Sequence, residues 1–303
     1  MNIEQFLKQE LKSPFYYIPN PGNAGDSVIA CASYNTFDKL NLTYEVIQPD
    51  DTRIENSIVV LGGGGAISGE TSYFSKILAE CAQKAKKVVL LPHTVKNIDA
   101  IITKYGDKIT FCCRELMSFE YISQFKNSHV VLLEDMAFTL NITQYAKPIS
   151  LRTKVNLLTT YIVQRLNGKK ASSIKFRYIA KAFNEHRVTR HVRKTAAETK
   201  TLNAFRLDEE KTNIEIPAVN YDISALFQLD VNHPLIASCA THLMASSIAR
   251  FDNVRTNRLH VAIVAALLGK NVEFYDNSYF KCRAVYEHSI KGKYPKVKFQ
   301  TPE

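Results

Sequence analysis

The strongest constraint on the fold of this chain is the repeated switch between short, continuously apolar runs and segments of helical period. Phe15-Tyr16-Tyr17-Ile18 reads as a strand, followed by the loop PNPGNAGD and a helix over Ser27–Leu40. Ile58–Leu61 is a strand running into Gly62–Gly65, with a helix over Ser72–Lys86 behind it. Val88–Leu91, Phe111–Cys113 and Val130–Leu133 are further strands. Strands that are apolar throughout are buried on both faces, and their alternation with helices predicts an α/β fold with a parallel sheet covered on both sides.

Residues 146–200 break this pattern. Leu151, Val155, Leu158, Ile162 and Leu166 recur at helical spacing among Arg152, Lys154 and Arg165, and a second helical stretch runs over Ile174–Val188 with Tyr178, Ala182 and Phe183 on one side. The α/β pattern then resumes. Asn203–Arg206 is a strand, Leu207–Lys211 a loop, and helical runs extend to Ala249. Asp252–Val254 is a short strand, Arg258–Leu268 a helix stopped by Gly269, and Val272–Tyr275 the next strand. The organisation expected is an α/β half over 1–145, a basic helical connector over 146–200 and a second α/β half over 201–303.

Charge sharpens the division. The 303 residues carry a net +10, yet residues 145–200 hold 14 Lys and Arg against only Glu185 and Glu198. The rest of the chain is therefore slightly acidic. A single basic arm points to a docking surface or an anionic membrane, and no aromatic-interleaved basic motif argues for nucleic acid. No run approaches the ~20 apolar residues of a membrane span, and the opening MNIEQFLKQELK is too polar for a secretory signal. Six scattered cysteines without a CxxC pair fit a reduced, cytoplasmic protein. Eight histidines without HxxxH or HExxH spacing give no metal site.

Several motifs have chemical potential. In Thr256-Asn257-Arg258-Leu259-His260, Thr256 or Asn257 suits an N-cap, which places Arg258 and His260 in the first helical turn, where free N–H groups favour an anion. The plainer alternative is a salt bridge and a core histidine. Asn23-Ala24-Gly25-Asp26 marks a strand-to-helix turn in which Asp26 either caps the helix or takes a proton from a hydroxyl. Gly62–Gly65 permits close backbone approach to a ligand, but matches neither GxGxxG nor GxxxxGK[ST]. His93 and Arg114-Glu115 follow apolar strands, whose carboxyl ends face the ligand crevice of an open α/β sheet. Arg206, Asp208 and Glu210 form a charge cluster after a strand, and Asp276-Asn277-Ser278-Tyr279-Phe280-Lys281 a turn with a cation.

In this order the motifs resemble the polysaccharide pyruvyl transferase family: NxGD, a strand ending in GGG, a His-bearing strand end, CRE, RxDxE, TxRLHxxIxAxxxGxxV and DNSYxK. They stand at Asn23–Asp26, Gly62–Gly64, His93, Cys113–Glu115, Arg206–Glu210, Thr256–Val272 and Asp276–Lys281. The resemblance covers about residues 20–140 and 200–290, and nothing is carried over to the connector. It implies a GT-B-like fold of two Rossmann-like domains facing a cleft, with phosphoenolpyruvate as donor and a pyruvate ketal bridging two sugar hydroxyls as product. His260, Arg258 and Arg114 fall on the donor-binding and catalytic positions. Asp26 is nominated as base, and Asn23, Gly63, Gly64, His93, Asn257, Asn277, Ser278 and Lys281 as substrate-binding residues. Phe280 stands where Gly is usual, and Leu-Pro-His replaces Gln-Ser-His before the strand-end histidine.

Residue chemistry fits that expectation. Two arginines suit the phosphate and carboxylate of phosphoenolpyruvate, because a guanidinium binds oxyanions bidentately. His260 is the expected acid for C3, since a histidine proton moves near neutral pH. No metal or cofactor is required when side chains supply the cations. A GT-B glycosyltransferase using a sugar nucleotide is the alternative enzyme, and a membrane- or polyanion-binding scaffold the alternative without catalysis. The acceptor in such systems is assembled on a lipid diphosphate, so the basic connector is expected either to bind the anionic inner leaflet as a peripheral surface or to pack its apolar side on the cleft.

Overall fold

The first sheet is entirely parallel and contains seven strands: β1 (Phe15–Ile18), β2 (Tyr44–Val46), β3 (Ile58–Leu61), β4 (Gly64–Ile67), β5 (Lys87–Val95), β6 (Ile109–Cys113) and β7 (His129–Leu132). Their order is β2-β1-β3-β5-β6-β7, with β4 paired to β5. The second sheet, also parallel, has the order β11-β10-β9-β8, formed by β8 (Thr201–Ala204), β9 (Asn253–Thr256), β10 (Asn271–Tyr275) and β11 (Val297–Gln300). This computed structural model describes residues 1–167, 174–208 and 214–300. The chain divides into two compact units, one of Met1–Asn20 and Ala32–Thr139, the other of Pro21–Cys31 and Leu140–Glu303. Each unit contains one parallel sheet with helices, as the apolar runs predict.

In the first unit, Val59, Leu61, Val88, Leu90, Ile109 and Phe111 bury their side chains against helices Tyr73–Lys84 and Asp99–Tyr105. Ser72 caps the former through its hydroxyl, as the Ser-before-apolar pattern suggests. Three local differences matter for the site. Strand β5 does not end at Leu91 but continues through Pro92 to Val95, and its pairing with β6 shifts between Leu90 and His93. A proline lacks the ladder N–H, so an irregularity is where a strand interior tolerates one. His93 is thus inside a strand. The glycine run is also partly strand, since β4 starts at Gly64. Finally, the helix expected from Ser27 begins at Ala24, so Gly25 and Asp26 lie in its first turn.

The second unit contains the basic segment. Helices Leu151–Leu166, Phe176–Phe183, Glu185–Val188 and Arg190–Glu198 replace the two expected there. The predicted stripe of Leu151, Val155, Leu158, Ile162 and Leu166 is exposed, whereas Leu157 is fully buried. The stripe is thus not packed against the described residues of its unit. Phe183 is also exposed, unlike Tyr178 and Ala182, which are buried. Helix Leu259–Leu267 is apolar on nearly every side, and Gly269 ends it with a left-handed φ of 68°. Among the described residues, no helix is long and apolar enough to cross a membrane.

Candidate active site

In the first unit the strand order reverses between β1 and β3, the position at which open α/β sheets bind ligands beyond their carboxyl ends. Asn20 lies just past β1 and Gly62 just past β3. A Cβ on Gly62 would approach the Asn20 backbone nitrogen to 2.4 Å, so glycine is required there. The Asn20 amide donates to the Gly63 carbonyl at 3.3 Å, and its buried Oδ1 meets no partner among the described residues. Asn20 was invisible to the sequence reading, because an asparagine between two prolines reads only as a turn.

His93 braces the glycine run. Its Nε2 accepts the Ala66 N–H at 3.0 Å, which leaves the ring proton on Nδ1, facing the Gly62 carbonyl at 3.3 Å. The ring stacks on Phe74 with centroids 5.6 Å apart. Desolvation, reinforced by the Arg114 charge, lowers its pKa to about 3. A neutral ring with both nitrogens on backbone shapes the loop containing Gly63 and Gly64; the expected direct contact with substrate has no ring nitrogen left to make it. Arg114 is also committed. Its Nε donates to Thr94 at 2.9 Å and its Nη1 to Asp135 at 2.8 Å, an ion pair almost wholly buried on both sides. This bond set ties together β5, the end of β6 and the segment after β7. Glu115 caps helix Leu116–Ser123 through Ser118.

In the second unit the structure unites two motifs that the sequence keeps far apart. Asn23 accepts the Gly25 N–H at 2.8 Å, and the Asp26 carboxylate accepts the Asn23 N–H at 2.8 Å. This closes the start of helix Ala24–Lys39 and commits one oxygen of Asp26 to capping. A Cβ on Gly25 would fall 2.4 Å from His260 Nδ1, so the imidazole lies directly over the glycine. His260 is in the first turn of Leu259–Leu267, and two helix N-termini therefore meet at this ring. Both present positive dipole ends, a field that favours an anion.

Arg258 occupies the N-cap position just before that helix, not its first turn as predicted, because the Thr256 hydroxyl accepts the Arg258 N–H at 2.9 Å and holds the backbone extended. Its Nε donates to Asp222 at 3.0 Å, and Nη2 donates both to the second Asp222 oxygen and to Asp208, the latter at 3.0 Å. Arg206 holds Asp208 from the other side, through Nε at 2.6 Å and Nη2 at 2.9 Å. Two guanidiniums and two carboxylates thus form one chain of charge-assisted bonds. Asp222 is the second residue the sequence reading missed; it precedes a short helix and reads there as a cap, a role it also fills towards Ala225 at 3.3 Å.

Asn257 was expected to touch substrate, but its Oδ1 accepts the Arg206 N–H at 2.9 Å and it is buried. It joins the ends of β8 and β9. Beyond β10, Asn277 is buried, Ser278 is exposed, and the Lys281 ammonium sits 4.7 Å above the Tyr279 ring. Glu210 lies outside the described residues. Among the described residues, no group of three or more His, Cys, Asp or Glu is placed to hold a metal ion.

The family model of polysaccharide pyruvyl transferases matches residues 23–279. The chain belongs to that family. The match spans both units, and it includes the Asn23–Asp26 turn, the glycine run and the Arg258–His260 helix start. This polysaccharide pyruvyl transferase is thereby an enzyme of the transferase class. It is similar over 99% of its length, at 29% identity and a TM-score of 0.74, to the crystal structure of an uncharacterized protein from Klebsiella pneumoniae, 97% of which is covered. No protein of curated function matches it.

Proposed function

We propose that this transferase moves the pyruvyl group of phosphoenolpyruvate onto two hydroxyls of one sugar in a cell-surface polysaccharide precursor, forming a pyruvate ketal and releasing phosphate. The observation that carries the reading is the meeting of two helix N-termini at Gly25 and His260, beside an arginine network. An oxyanion there gains from both dipoles and from the imidazole between them. Arg258, fixed by Asp222 and Asp208, is the charged fork that binds one end of the donor. His260 protonates C3, which makes C2 electrophilic; one sugar hydroxyl adds there and gives its proton to the neutral His260 so formed. The bond from C2 to the phosphate oxygen then breaks as the second hydroxyl closes the ketal, with Asp26 receiving its proton.

Asn23, Gly63, Gly64, Asn277, Ser278 and Lys281 contact donor or acceptor in this scheme, and the free acceptor face of Asn20 is suited to a sugar hydroxyl. The same reading puts the enzyme in the cytoplasm at the inner membrane face, with its acceptor carried on a lipid diphosphate.

Thermal unfolding with phosphoenolpyruvate, set against UDP-, GDP- and CMP-sugars, tests the donor. A ligand at ~100 times its dissociation constant adds about 2.7 kcal/mol. Stabilisation by phosphoenolpyruvate that disappears in Arg258→Ala is the expected result. Stabilisation by a sugar nucleotide alone would overturn it and leave glycosyl transfer.

A further inference from the structure

Helix Leu151–Leu166 is built inside out. At 100° per residue, Thr153, Leu157, Thr160, Tyr161 and Gln164 share one face, and this is the inward face: Leu157 is fully buried and the other four are partly so. The opposite face carries Leu151, Val155, Leu158, Ile162 and Leu166, from 36% exposed at Leu158 to 80% at Leu166. Soluble proteins place these two faces the other way round, and a stripe of five large apolar side chains presented to solvent marks an interaction surface. Phe176 is also 64% exposed, with its ring 6.2 Å from that of Tyr161.

The flanks of the stripe are cationic. Exposed Arg152 lies on one side and exposed Arg165 on the other, whereas Lys154 is turned to Glu185 at 3.9 Å. The helix contains no acidic residue at all, and the whole segment 145–200 contains two. Two copies of this chain meeting through the stripe would bring like charges together. Apolar side chains bordered by cations instead complement a surface that is apolar below and anionic above. We propose that helix Leu151–Leu166 lies in the headgroup plane of an anionic lipid bilayer, with Leu151, Val155, Leu158, Ile162 and Leu166 in the acyl boundary and Arg152 and Arg165 on the lipid phosphates. The inference extends the reading of a lipid-linked acceptor by giving the enzyme a means of reaching it.

Sedimentation with vesicles tests it, using phosphatidylcholine alone and an equal mixture of phosphatidylcholine and phosphatidylglycerol. The wild-type protein is expected to partition at least about tenfold more strongly to the anionic vesicles, and less so as salt rises. The double variant Val155→Ser/Ile162→Ser should lose about tenfold in binding, and Arg152→Glu/Arg165→Glu should lose the preference for anionic lipid. All four side chains are exposed, so both variants should keep the wild-type circular dichroism and melting temperature. Equal recovery on the two vesicles, or undiminished binding by the serine variant, overturns the proposal. So does a concentration-dependent dimer that the serine variant abolishes, which would assign the stripe to a second copy. The assay contains neither donor nor acceptor, so its failure is separate from any failure of the transfer reading.

Discussion

His93 is held neutral by burial, and that gives it a signature in stability. Its pKa is about 3 in the folded protein and 6.5 is the ordinary value, so between these limits the unfolded chain binds the extra proton. The stability it contributes is full above about 6.5 and is lost as pH falls towards 3, with a slope of up to about 1.4 kcal/mol per pH unit. Urea unfolding of wild type and His93→Gln across that window should show a shallower dependence in the variant; parallel curves would mean the ring is not held neutral. Gly25 permits an even sharper test. Alanine in a helix is ordinarily about 1 kcal/mol better than glycine, but here its methyl meets the His260 ring at 2.4 Å. Gly25→Ala is expected to destabilise by about 1–3 kcal/mol and to lower turnover about 100-fold by displacing the ring. In a His260→Gly background, which removes the ring and the Cβ that would lie 2.9 Å away, the same change should be neutral or stabilising, and a destabilisation of unchanged size would show that this side chain is not the obstacle.

At the level of elements, legibility followed burial. Strands β3, β5 and β6 are interior and covered on both faces, so each is marked by an apolar run that located it, although β5 continues past its run to Val95 and β6 begins before its own, at Ile109. Strands β2 and β11 lie at sheet edges, carry Glu45 and Lys298 among their few residues, and give no such run. Helix Leu151–Leu166 is the contrary case. Its period was plain in the sequence, but period does not say which face turns inward. The two faces make a direct prediction: Leu157→Ala should cost about 2–4 kcal/mol in chemical denaturation, and Ile162→Ala less than about 0.5 kcal/mol. A reversed order would mean that the apolar stripe faces the protein.

On the scale of the whole molecule, all six cysteines are free and buried, and desolvation raises the Cys31 thiol to about 11 and those of Cys81 and Cys239 to about 12. Thiol reagents attack the thiolate, so a native protein should release no fast-reacting thiol and a denatured one all six. A rapid native fraction would place at least one cysteine in a segment that opens locally. Such opening is distinct from the global transition that the donor-binding melts would follow.

The amino-acid sequence determined the α/β class, the succession of interior strands, the concentration of cation in one segment and the family, because each of these is local in pattern or carried by short motifs. It also marked Asn23, Gly25, Arg258 and His260 as residues of interest. Tertiary structure alone decided what each of them does. The placement of His260 on Gly25, the grip of Asp222 on Arg258, the commitment of His93 to a glycine loop and of Arg114 to Asp135, and the outward turn of Leu151–Leu166 all join or orient residues distant in the chain. Hydrophobic pattern fixes the period of an element; the partner across space, which no local pattern encodes, fixes whether a charge is offered to a ligand or already held.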